Sequence, residues 1–142
     1  MISSRRQLLL LGALAVRSGL AQDSKAPRRV ILDASRALQG SNAARFMGYF
    51  DKTQYKQLAV LRQTVTALLA TRSIGSSVDI LTLVEHDSGW KAEIDWLLQL
   101  TPIQGAGPIE TRQESVTVEL LQNAKGQWRI TWFEPIDLFR VL

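Results

Sequence analysis

Two periodicities divide the chain. From Arg28 to about Arg72 apolar residues recur every three or four positions, and from Val78 to Trp132 they recur at every second one. These are the signatures of amphipathic helix and half-buried strand. The first helix is expected over Arg28–Gln39, with Ile31, Leu32, Ala34 and Leu38 on one side, Pro27 at its start and Gly40 as its breaker. Ser41 and Asn42 are good N-caps for a short second helix carrying Ala43, Phe46, Met47 and Phe50. Asp51-Lys52-Thr53-Gln54 has the acid-x-x-Gln form of a capping box. A third helix follows, in which Tyr55, Leu58, Leu61, Val65, Leu68 and Leu69 make one apolar stripe. Gly75-Ser76-Ser77 is expected to end the helical half.

In the strand half, Val78, Ile80, Thr82 and Val84 alternate with Asp79, Leu81, Leu83 and Glu85, and Asp87-Ser88-Gly89 reads as a hairpin turn. The next strand alternates most cleanly: Trp90, Ala92, Ile94, Trp96, Leu98 and Leu100 face one way, Lys91, Glu93, Asp95 and Gln99 the other. Pro102 to Glu110 is a loop. Its Gly105-Ala106-Gly107 is followed by a strand and not a helix, so it is no nucleotide loop. A third strand over Arg112–Gln122 sets Val116, Val118 and Leu120 against Thr117 and Glu119. After a turn at Asn123-Ala124-Lys125-Gly126, the last strand places Trp128, Ile130 and Trp132 together before Pro135. The prediction is an α+β domain: three N-terminal helices packed on the apolar face of a strongly curved antiparallel four-stranded sheet.

Residues 1–21 stand apart from this pattern. Ser4-Arg5-Arg6 precede an uncharged apolar run from Leu8 to Val16, and Arg17 and a Gly19-Leu20-Ala21 ending follow. That order is a secretory signal peptide cut near Ala21. The run is shorter than the ~20 residues a membrane span needs. Ser4-Arg5-Arg6-Gln7-Leu8-Leu9 resembles the twin-arginine pattern. A lipid anchor would need a cysteine where Gln22 stands, so no stable membrane anchor is expected after cleavage. The implied location is periplasmic or extracellular, with 22–27 a linker and 28–142 the domain.

Charge and composition narrow the chemistry. The whole chain is +4, but three of its 17 basic residues fall in the leader, which leaves 14 against 13 acids. The remaining cations are scattered, with Arg28-Arg29 the one adjacent pair, so no nucleic-acid partner is expected. The absence of cysteine excludes disulfides, thiolate catalysis and cysteine metal sites. No cofactor is called for.

The order of elements resembles the nuclear transport factor 2-like superfamily, also called cystatin-like or α+β cone. The resemblance lies in Phe50-Asp51-Lys52, then Tyr55 and Leu58; in Ser76-Ser77, Asp95-Trp96 and Arg112-Gln113; and in Gly126-Gln127-Trp128-Arg129-Ile130 with Glu134-Pro135. It spans about residues 28–140 and implies helices lying in the hollow of a bent sheet, around a conical pocket. Such folds serve isomerases, dehydratases, transport adaptors and non-catalytic domains alike, so the resemblance implies architecture rather than a reaction.

The candidate chemistry is sparse. His86, the single histidine, sits between Glu85 and Asp87; consecutive strand residues point to opposite faces, so the three cannot converge, and an exposed hairpin tip is expected and not a metal site. Asp33, Tyr49, Tyr55 and Asp95 are the candidate acid and hydrogen-bond donors for a lyase or isomerase. Asp95 is expected on the outer side of the sheet, either solvated or paired with a cation such as Arg112 or Arg129; with the faces reversed it would enter the cone as a buried base. Phe46, Trp90, Trp96, Trp128 and Trp132 are the expected walls of an apolar ligand pocket. Leu81, Leu83, Leu97 and Leu121 are assigned to the outer face, where they suggest a homodimer through the sheet. The expected function is an exported, non-catalytic domain binding a small apolar ligand or a protein partner, with the lyase or isomerase as the alternative.

Overall fold

The computed structural model describes residues 24–105 and 107–141. The expected leader and the start of the linker lie outside the described residues, as does Ala106. The order is α1 (Lys25–Gln39), α2 (Ala43–Met47), α3 (Leu58–Thr71), β1 (Arg72–His86), β2 (Gly89–Pro102), β3 (Glu110–Gln122), β4 (Trp128–Glu134) and a 3-10 turn (Ile136–Phe139). The strands form one antiparallel sheet in the order β1-β2-β3-β4. Three helices on a four-stranded meander is the α+β architecture that the two periodicities predict.

The helices differ from expectation at their ends, for local reasons. α1 begins at Lys25, so Pro27 lies in its first turn, where a missing N–H leaves no bond unmade. α2 is capped as expected, with Asn42 Oδ1 accepting from Arg45 N at 2.9 Å. Asp51 does not cap α3. Its Oδ1 accepts from Thr53 N, Thr53 Oγ1 and Gln54 N at 2.8, 2.8 and 2.9 Å, which folds a turn, and α3 starts only at Leu58. Phe50 leaves α2 and bridges to β4: Asp51 N donates to Ile130 O and Ile130 N to Tyr49 O, both at 2.8 Å.

Gly75-Ser76-Ser77 does not close the helical half. α3 runs directly into β1, and the three small residues lie within the strand. Their size has a packing use: the Ser76 and Ser35 hydroxyls are hydrogen-bonded at 2.7 Å, which brings α1 close to the sheet.

Two bulges decide which side chains face inward. In β1 the pairing steps from Ile80↔Ile94 to Thr82↔Glu93, leaving Leu81 unpaired. The extra residue inverts the alternation beyond it. Leu83 therefore turns toward the core, not to the outer face, while Val84 is exposed. In β4 the pairing steps from Glu119↔Trp132 to Leu120↔Ile130, so Thr131 is the extra residue. Trp132 consequently points outward and Phe133 inward, which overturns the expected grouping of Trp132 with Ile130.

β2 behaves as its pattern predicts, with Trp90, Ala92, Ile94, Trp96, Leu98 and Leu100 buried. The β1–β2 hairpin turns on Asp87 and Ser88, both at positive φ, and Gly89 begins β2. A Cβ at Gly89 would collide with the Leu120 carbonyl oxygen, so this glycine serves the approach of β3 rather than the turn.

Candidate functional site

The hollow between helices and sheet is filled. Trp96 meets Phe133 and Phe139 edge-on at centroid distances of 5.5 and 6.5 Å, and Phe133 stacks on Phe139 at 5.4 Å. Phe46 and Phe50, 5.1 Å apart, close the cluster from the helical side. No ring of the five is more than 2% exposed. Each buried side chain contributes about 1.5–3 kcal/mol, and a guest would have to displace several. This hollow is core. The 3-10 turn supplies Leu138 and Phe139, which the sequence reading missed because a four-residue element carries no period.

One part-buried polar chain joins the sheet to α1: Trp96 Nε1 donates to Ser76 Oγ at 3.0 Å, and Ser76 meets Ser35. Arg112 is the one buried cation among the described residues. It lies on the inner face, donating from Nη1 to Leu138 O at 2.9 Å and from Nε to Glu110 Oε2 at 2.7 Å, and so anchors the 3-10 turn. It therefore does not pair with Asp95. That hydrogen bond from Arg112 holds the Glu110 carboxyl below the ordinary range.

The four candidate acid and donor residues do not converge. Asp33 accepts from Arg36 Nη1 at 3.2 Å on the outside of α1. Tyr49 Oη accepts from Arg45 Nε at 3.4 Å; this bond, together with the more distant Asp33 carboxylate, raises the Arg45 pKa. Tyr55 Oη donates to Phe133 O at 3.1 Å, and its phenol is pushed up to about 12 by burial and then by the charge of Glu134. Asp95 lies on the outer face and accepts from Gln113 Nε2 at 2.8 Å, with neither Arg112 nor Arg129 as its partner.

The five expected wall residues likewise share no cavity. Phe46 and Trp96 belong to the filled core. Trp90 and Trp128 border an open cleft of about 400 Å³ at the hairpin tip, with Glu85, His86, Asp87 and Ser88. Trp132 is 37% exposed, with Nε1 donating to Glu134 Oε1 at 3.1 Å. His86 is exposed and lies 3.4 Å from Asp87 Oδ2. Among the described residues no three His, Asp or Glu side chains are grouped as a metal site.

Further concave space lies at the periphery of the helical layer. A cleft of about 430 Å³ between α2 and α3 is lined by Ala43, Ala44, Met47 and Gly48, with Lys52, Arg62 and Thr66 at its edge. A second, of about 490 Å³, adjoins it through Gly48 and Lys52 and brings in Asp51, Lys125 and Arg129. Burial raises the Asp51 carboxyl, but the hydrogen bonds from Thr53 and Gln54 and the charge of Arg129 outweigh it and bring it below the ordinary value. None of Lys52, Arg62, Lys125 and Arg129 forms an ion pair among the described residues. These residues were missed because they follow no motif. The available signal was charge: residues 24–72 hold nine basic and two acidic side chains, residues 73–141 five and ten.

No protein-family model and no curated protein matches the sequence. Solved structures do match its fold. A conserved protein from Planctomyces limnophilus superposes with a TM-score of 0.70 at 12% identity, covering 80% of this chain and 94% of that one. A scytalone dehydratase-like protein from Novosphingobium aromaticivorans gives 0.67 at 11% identity, over 83% and 85%. An aromatic ring hydroxylase-like protein from the same organism gives 0.63 at 12% identity, over 80% and 87%. The chain has an α+β cone fold, shared with these structures. Identities this low carry architecture and not chemistry.

Proposed function

We propose that this is a non-catalytic binding domain whose ligand, small and largely apolar, sits in the cleft between α2 and α3 and not inside the cone. The observation that carries this reading is the closure of the hollow by Trp96, Phe46, Phe50, Phe133 and Phe139, while Asp33, Tyr49, Tyr55 and Asp95 point to separate places. An enclosed acid–donor pair, which lyase or isomerase chemistry needs, has no support here. The cleft of about 430 Å³ falls within the size of ordinary small-molecule sites and has an apolar floor.

Titration with Nile red, a neutral apolar dye, tests the reading. Saturable binding is expected, and Ala44→Trp, which fills the cleft from the exposed side of α2, should abolish it while leaving Tm in place. Binding that is unaffected by Ala44→Trp would sink the assignment.

Export belongs to the same proposal. The leader-like order of residues 1–21 supports secretion, and no helix among the described residues is long and apolar enough to cross a membrane. Expression of the full chain in a bacterium should yield a periplasmic form whose mass begins at Gln22. A form that keeps Met1 and stays in the cytoplasm would refute it.

A further inference from the structure

We infer that the occupant of the α2–α3 cleft is an amphipathic anion, with an apolar body on Ala43, Ala44 and Met47 and a carboxylate or phosphate-type head between Lys52 and Arg62. This rests on the cleft being the ligand site, and goes beyond it by naming the charge of the ligand. Three observations meet here. Lys52 and Arg62 line the same cleft as Ala43, Ala44 and Met47, both are exposed, and neither has an ion-pair partner among the described residues. Thr66 adds a hydroxyl donor on the α3 side of the edge. The acid nearest in the chain, Asp51, borders the adjoining cleft, and its Oδ1 is already taken by Thr53 and Gln54.

The wider field acts in the same direction. The helical segment, residues 24–72, carries +7, and the remainder through 141 carries −5, so the near-neutral total hides a strong separation of charge. Such a field draws an anion toward the helices and away from the sheet. Lys125 and Arg129 continue the cationic band beyond Lys52 in the adjoining cleft. A neutral apolar ligand would leave the cations without a role, and a cationic one would be repelled.

The test compares submicellar sodium decanoate with 1-decanol, its neutral counterpart, by calorimetry on the full folded domain. Decanoate should bind at least about tenfold more tightly than decanol, with affinity falling as salt rises. Lys52→Ala and Arg62→Ala should each weaken decanoate by about three- to tenfold and leave decanol within about twofold. Equal affinity for the two, both lost in Ala44→Trp, would overturn the anionic inference while the cleft assignment stands. Binding of neither, with Nile red also indifferent to Ala44→Trp, would overturn both. Co-sedimentation with phosphatidylglycerol and phosphatidylcholine vesicles separates the sources. Retention on the anionic vesicles alone, displaced by decanoate, identifies a lipid in a bilayer; decanoate binding without retention identifies a free amphiphile. Either supports the inferred chemistry.

Discussion

Trp96 donates its indole N–H to the Ser76 hydroxyl at 3.0 Å, diagonally across the β1–β2 pair. Ser76 is in turn bonded to Ser35 of α1, so a single hydroxyl ties a fully buried tryptophan to the helix above it. Ser76→Ala would strand a buried N–H, and unfolding in urea should show a loss of about 1–3 kcal/mol. A loss below about 0.5 kcal/mol, the range of neutral surface changes, would mean that this bond does not hold the layers together.

The Thr131 bulge makes a prediction that runs against composition. Phe133→Ala should cost about 3–5 kcal/mol, since its ring is buried among Trp96, Phe50 and Phe139. Trp132→Ala, although it removes a larger side chain, should cost about 1 kcal/mol or less, because Trp132 is part-exposed, with the edge of Tyr55 as its aromatic neighbour and an exposed hydrogen bond to Glu134. Chemical denaturation of the two variants gives the order directly. The reverse order would place the bulge elsewhere.

Stability should fall at both ends of the pH range. Asp51 and Glu110 have folded pKa values below their ordinary ones, so their contribution is complete above the unfolded carboxylate range and is lost as pH drops through the folded values. Asp51→Asn should flatten part of that acid limb. Tyr55 is raised from 10.0 to about 12, so its contribution is complete below pH 10 and is lost as pH climbs toward 12. Tyrosinate absorbance in a Tyr49→Phe background should therefore rise only together with alkaline unfolding. An early, reversible rise near pH 10 in the folded protein would contradict the burial of Tyr55.

The outer sheet face predicts salt-dependent self-association. Leu97 and Leu121 lie there as expected, but so do four acids, Asp79, Glu93, Asp95 and Glu119, against the cation Lys91 opposite Glu119, with Asp79 and Asp95 directly opposite each other. A two-fold dimer would set this acidic face against itself. Sedimentation should find a monomer at low ionic strength and any dimer favoured as salt rises. A dimer that dissolves with salt would point to another interface.

The strand that reads most clearly, β2, is buried on both flanks by β1 and β3, so its period survives without a bulge and every expected inward residue is inward. β1 and β4 are edge strands and carry the two irregularities, at Leu81 and Thr131. A bulge leaves no mark in an alternating pattern, and one residue of slip was enough to misplace Leu83 and Trp132. The five expected wall residues are dispersed for a related reason. Aromatic residues predict burial, but whether they line a space or fill it depends on what arrives from elsewhere, and Phe133 and Phe139 arrive from a bulged strand and an unpredicted turn.

The order of helices and strands, the α+β class and the inward face of β2 were decided by local periodicity, because 3.6- and 2-residue repeats are properties of contiguous chain. The separation of positive helices from a negative sheet was also written there, as a running difference in charge. Which edge side chains turn inward, that aromatic rings fill the hollow, and that Lys52 and Arg62 line one cleft with Ala43, Ala44 and Met47 were decided only in three dimensions. Those outcomes depend on register and on contacts between residues distant in sequence, where competing packings differ by one residue of slip.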